Sequence, residues 1–94
     1  MTAIVFFKQE VIDFAAWKKF YDDNAHMRTE GGIIASSVYC NADDPNTVLI
    51  YNQLPDRETA QNLANALGSE EWKAAFKAAG VKPETIEMWM FEDA

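Results

Sequence analysis

The period of hydrophobic and polar positions changes several times along the chain, and each change predicts an element. Residues Ala3 to Gln9 read AIVFFKQ, a short β-branched and aromatic run that predicts a strand. From Phe14 the period lengthens. Phe14, Trp17, Tyr21, Ala25 and Arg28 recur at helical spacing, while Lys18, Lys19, Asp22 and Asp23 fill the other side. Asp13 stands at the N-cap of this helix and Gly31-Gly32 at its end. Ile33 to Asn41 (IIASSVYCN) and Thr47 to Gln53 (TVLIYNQ) predict two more strands, joined as an antiparallel hairpin by the turn-forming cluster Asp43-Asp44-Pro45-Asn46. Asp56 caps a second helix that runs to about Leu67. After Gly68, Ser69 caps a third, which shows Trp72, Ala75, Phe76 and Ala79 on one face. Gly80 ends that helix, with Val81 placed to pack back on Phe76. Pro83 opens the last segment, and Ile86 to Phe91 (IEMWMF) is the fourth strand.

The order is β-α-β-β-α-β, with the second helix broken in two. It predicts an α+β fold of the ferredoxin-like kind, a single domain over residues 1–94 with helices on one face of a four-stranded antiparallel sheet. Such a sheet normally alternates apolar and polar residues. Here Ile4 and Phe6 oppose Val5 and Phe7; Val48 and Ile50 oppose Leu49 and Tyr51; Ile86, Met88 and Met90 oppose Trp89 and Phe91. Both faces are apolar. One meets the helices, and the other calls for a partner, most economically a second copy packed sheet against sheet about a two-fold axis. The alternative is a monomer with an exposed apolar face.

Composition supports a second buried surface, because 49% apolar and 13% aromatic residues is rich for 94 residues. Charge narrows the partners. Fifteen acidic against eight basic residues give a net charge of −7, which phosphate backbones and anionic lipid repel. No nucleic-acid or membrane role is therefore expected. The start MTAIVFFKQEV lacks the features of a signal peptide, and no apolar run nears the ~20 residues of a membrane span. With Cys40 the only cysteine, the expected location is cytoplasmic.

The segments VIDFAAWKKFYDD, R-x-E-G-G, SVYCNADDPNTVLIYNQLPD and EEWKAAFKAAGV resemble the dimeric α/β-barrel superfamily. Within it, they are most similar to small antibiotic-biosynthesis-monooxygenase-like proteins, often labelled provisionally as cyclases or monooxygenases. The resemblance implies a homodimer with a ligand space between helices and sheet. The activities it implies are those of cofactor-independent oxygenases on phenolic or polyketide-like molecules, isomerases or cyclases, haem-degrading oxygenases, or stress-type and ligand-sensing proteins with no active site. The superfamily shares no single catalytic motif, so no catalytic residue carries over.

Six residues are candidates for a ligand site. Trp17, Tyr21 and Asn24 lie on or beside the stripe of the first helix, Trp72 and Phe76 on the inner face of the third, and Asn52 on the strand face that carries Val48 and Ile50. Aromatic residues at this spacing also make ordinary core. An amide beside a core stripe, however, needs a partner or a ligand. The aromatics would wall a pocket for a small apolar or aromatic molecule, and the two asparagines would orient its oxygens with no cofactor. His26, the sole histidine, falls off the stripe toward solvent, which disfavours a haem-ligand role. Cys40 reads as a buried small hydrophobe, Asp43 and Asp44 as turn formers without enough neighbours for a metal, and Arg28 as a partner of the first helix's C-terminal dipole.

Overall fold

A computed structural model of the chain describes residues 2–94. The elements are β1 (Ala3–Glu10), α1 (Phe14–Asp23), α2 (Ala25–Glu30), β2 (Ala35–Cys40), β3 (Thr47–Leu54), α3 (Arg57–Leu67), α4 (Glu70–Ala78), a 3-10 turn at Pro83–Thr85, and β4 (Glu87–Glu92). The four strands form one antiparallel sheet in the order β2-β3-β1-β4. This is the ferredoxin-like arrangement expected.

The helix starts follow from their caps. Asp13 accepts a hydrogen bond from the Ala15 amide (3.2 Å), Asp56 from Thr59 (2.8 Å), and Ser69 from Trp72 (3.4 Å). The hairpin turn is held by its own side chains. Asn41 Oδ1 accepts from the Asp43 and Asp44 amides, and Asp44 Oδ1 from that of Asn46. Asn46 then reaches the Phe14 amide (3.0 Å), which ties the hairpin to the start of α1. At the end of α4, Gly80 takes φ +87°, and the Val81 amide donates to the Phe76 carbonyl (3.0 Å), the close expected from the sequence.

Strand ends shift by one residue from expectation, and three further differences have a local cause. The first helix is two helices that meet at Asn24. The Asn24 side-chain amide donates to the Phe20 carbonyl (2.8 Å), and its own N–H bonds back to Tyr21 and Asp22, so the helical ladder stops and restarts there. β2 begins at Ala35 rather than Ile33, because the close after Gly32 (φ +92°) uses the Ile33 amide, which donates to Arg28. β4 begins one residue late, after the turn that Pro83 initiates.

Layering follows from register. Ala3, Val5, Phe7 and Gln9 of β1 stand opposite Leu54, Asn52, Ile50 and Val48 of β3 on the face toward the helices. Val11, Trp17, Val48, Ile50 and Val81 make one part of the core, and Ala3, Val5, Leu54 and Ala60 the other. The opposite face carries Ile4, Phe6, Leu49 and Tyr51, with Trp89, Phe91 and Tyr39 on the edge strands. Phe6 meets Tyr51 and Phe91 edge-on at centroid distances of 5.7 and 5.8 Å. Among the described residues no element covers these rings, and Tyr39 and Phe91 are 55% and 53% exposed. Cys40 is exposed, not buried as the sequence suggests, because it ends edge strand β2 beyond the cover of the helices.

One pH effect follows from the caps. The Thr59 amide hydrogen bond holds the Asp56 carboxyl below its ordinary 3.8. Its contribution is therefore complete above about pH 4 and is lost as pH falls through the lowered value. Asp56→Asn, which keeps the capping oxygen, is expected to flatten the acid side of a melting-temperature profile below pH 4. An unchanged acid limb would contradict this.

Candidate functional site

A cavity of about 160 Å³ lies between the helices and the sheet. Its floor is the β1–β3 row of Phe7, Gln9, Ile50 and Asn52, and its walls come from α1 and α4. On α1, Trp17 and Tyr21 stack at 5.3 Å and 27°; on α4, Trp72 and Phe76 lie 5.6 Å apart. Phe20 meets Phe76 edge-on at 6.4 Å and joins the two walls. All six residues singled out from the sequence, Trp17, Tyr21, Asn24, Asn52, Trp72 and Phe76, line this space. Their burial differs. Trp17 is 2% exposed and belongs to the core, whereas Tyr21, Trp72 and Phe76 are half-buried.

The polar groups are few and connected. Tyr21 Oη is hydrogen-bonded to Ser36 Oγ, which donates to Asn52 Oδ1 at 3.1 Å. The Tyr21 phenol is thus the donor in the first contact. The Asn52 amide nitrogen makes a long contact (3.5 Å) to the Val5 carbonyl, so at most one of its two N–H donors is engaged. Asn52 is 3% exposed. Arg28 lies over the Tyr21 ring, its guanidinium carbon 3.6 Å from the centroid, and donates through Nη1 to the Tyr21 carbonyl near the end of α1. It serves the helix terminus as expected and also faces the cavity. Among the described residues it is the only charged side chain that lines it. A chain of net charge −7 thus puts a lone cation beside an aromatic pocket, where low polarity magnifies its field.

Asn24 needs no ligand to satisfy its nitrogen, since Phe20 accepts from it; its oxygen has no protein partner among the described residues. Three contributors escape the sequence reading. Ser36, the bridge between Tyr21 and Asn52, looks like an ordinary edge-strand serine. Arg28 reads as a dipole partner alone. Gln9 looks like a polar strand end, although strand alternation from Val5 and Phe7 places it on the inner face. His26 is exposed and does not line the cavity. Among the described residues no three His, Cys, Asp or Glu side chains converge as a metal site would require, and no helix is long and apolar enough to cross a membrane.

No protein-family model and no curated protein matches the chain. Solved structures do match, over nearly its whole length, and they are antibiotic-biosynthesis-monooxygenase-like. SnoaB, a cofactor-independent oxygenase from Streptomyces nogalater, superposes with a TM-score of 0.73 at 14% identity, covering 99% of this chain and 93% of that one. A Bordetella bronchiseptica protein provisionally named an antibiotic biosynthesis monooxygenase gives 0.76 at 7% identity, with 99% and 97% covered. Another structure of that name gives 0.69 at 10% identity, with 98% of each chain covered. At such identities the likeness establishes the shared ferredoxin-like fold.

Proposed function

We propose, with the fold of the antibiotic-biosynthesis-monooxygenase-like proteins as premise, that this protein is a homodimer that binds a small phenolic molecule in each subunit and oxygenates it without a cofactor. The observation that carries the reading is the polar cluster of Arg28, Tyr21 and Asn52 in an otherwise aromatic cavity. Trp17, Trp72 and Phe76 hold the ring, while Asn24 and Asn52 orient its oxygens. Arg28 and a free Asn52 N–H stabilise the phenolate. The phenolate, far richer in electrons than the neutral phenol, reduces dioxygen by one electron, and the two radicals pair to form a carbon–oxygen bond at a ring carbon ortho to the phenolate oxygen. The ring carbon then loses its proton as the O–O bond breaks. One oxygen stays as a quinone carbonyl and the other leaves as water, so phenol and dioxygen balance quinone and water. The oxygenase name of SnoaB supports this direction, and isomerase or cyclase chemistry on the same scaffold stands next to it.

The dimer is supported by the uncovered rings of the outer sheet face. Native mass spectrometry of freshly purified protein is expected to give a dimer mass. A monomer would remove the basis for the second copy.

The activity test uses 1-naphthol and an oxygen electrode. Uptake with quinone formation is expected, and Asn52→Leu should lower turnover by about a hundredfold, typical for loss of a transition-state hydrogen-bond donor. Equal turnover by the variant would overturn the assignment of Asn52. A second reading, a non-catalytic stress-type or ligand-sensing dimer, draws on the cavity volume, since 160 Å³ falls below the ~300 Å³ at which ligand pockets usually begin. A bound phenol with no oxygen uptake would select it.

A further inference from the structure

We infer that Gln9 is a specificity determinant, selecting phenols that carry a neutral hydrogen-bonding group, a carboxamide, at the end of the ring opposite the hydroxyl. The inference rests on the phenol-binding reading above and deepens it. Gln9 is 4% exposed and lines the cavity floor, yet its side-chain amide makes no hydrogen bond to any described residue. No fully enclosed side-chain polar atom among those residues lacks a partner, so the free amide atoms are ones still open to the cavity. So little exposed an amide with neither its N–H donors nor its oxygen engaged by the protein is uncommon, and only water or a ligand in the cavity can engage it. A structural role does not account for Gln9. A ligand group that accepts and donates at once does.

Its place in the sheet sets which part of the ligand it meets. Gln9 stands opposite Val48, while Asn52 lies four residues further along β3, opposite Val5, on the same face. At a rise of ~3.3 Å per residue the two positions are ~13 Å apart. Between them lies the apolar pair Phe7 and Ile50. One aromatic ring with polar groups at its para ends, plus a hydrogen bond of about 2.9 Å at each, fills a span of that order. The volume agrees, since a cavity of roughly 150 Å³ accepts a benzene ring. Charge fixes the orientation. The cation, Arg28, lines the cavity along with Asn52, whose hydrogen-bonded relay partner Tyr21 it covers, and so takes the phenolate. The uncharged amide of Gln9 takes a neutral group.

The test compares 4-hydroxybenzamide with p-cresol (4-methylphenol) by calorimetric titration of the full chain and of Gln9→Leu. The wild type is expected to prefer the benzamide by about tenfold or more, the effect of one to two hydrogen bonds, and Gln9→Leu to bind the two phenols alike. The variant should also melt higher than the wild type, because leucine removes an amide without a partner. A wild type that does not discriminate, a variant that keeps the preference, or a variant that melts lower would each overturn the inference while leaving the phenol site standing. Failure of both phenols to bind would overturn the phenol site, and this inference with it.

Discussion

Replacing Phe6 with aspartate is expected to turn the proposed dimer into a monomer. Phe6 sits on β1, an inner strand of the sheet, and touches Tyr51 on one side and Phe91 on the other. In a sheet-against-sheet dimer this patch would be the dry centre of the interface, where a few aromatic side chains carry most of the binding energy. An aspartate there would be buried while Lys8, two residues along the same face, is already paired with Glu87, an arrangement that desolvation strongly opposes. Self-association should weaken by about a thousandfold, or ~4 kcal/mol, measured by sedimentation equilibrium. Phe6→Leu, which keeps the apolar surface, should remain dimeric. Because association stabilises the folded state by mass action, the melting temperature of the wild type should rise with concentration and that of Phe6→Asp should not. Unchanged association in the aspartate variant would mean that the copies meet elsewhere or not at all.

The second large effect separates two tryptophans that look alike in the sequence. Trp17 is nearly inaccessible and packs in the core cluster with Val11, Val48, Ile50 and Val81. Trp17→Ala is expected to cost about 3–5 kcal/mol, a large share of the 5–15 kcal/mol that holds a typical domain together. Trp72 is half-buried, and its ring neighbour is Phe76. Trp72→Ala should cost less than Trp17→Ala, since Trp72 keeps part of its surface in water and lies outside that core cluster. It should nonetheless abolish phenol binding, because it opens one wall of the site. Urea denaturation and ligand titration of the pair would show the contrast. If Trp72→Ala binds as the wild type does, α4 is not a wall of the site.

Local physics made much of this molecule legible. Asp13, Asp56 and Ser69 announce the helix starts, and Asn41, Asp44 and Asn46 use their side chains to hold a turn wherever the rest of the chain lies. The six candidate residues share a cavity because strand alternation and helical spacing already assign each to a face. What escaped depends on facts that are not local. The exposure of Cys40 follows from β2 being an edge strand, which is a matter of strand order. The break at Asn24 turns on whether one side chain claims the carbonyl of Phe20, a choice that periodicity does not register. Ser36 matters only because pairing sets it beside Asn52. Gln9 is inner by alternation but polar by type, and apolar patterning passes over such positions.

The strand order also has a consequence for how the chain is made. Of the four strands β1 leaves the ribosome first, yet it lies inside the sheet, between β3 and β4. Its pairing with β3 can form once β3 has emerged, but the rung that joins Ala3 to Glu92 waits for β4. Until then one edge of β1 is unpaired, and its outer row of Ile4 and Phe6 has no β4 beside it. Nascent chains halted before Glu87 would therefore present a bare apolar edge, the kind of surface that chaperones hold and that seeds aggregation. Translation speed through the last helix and the Pro83 turn then sets how long that edge stays open.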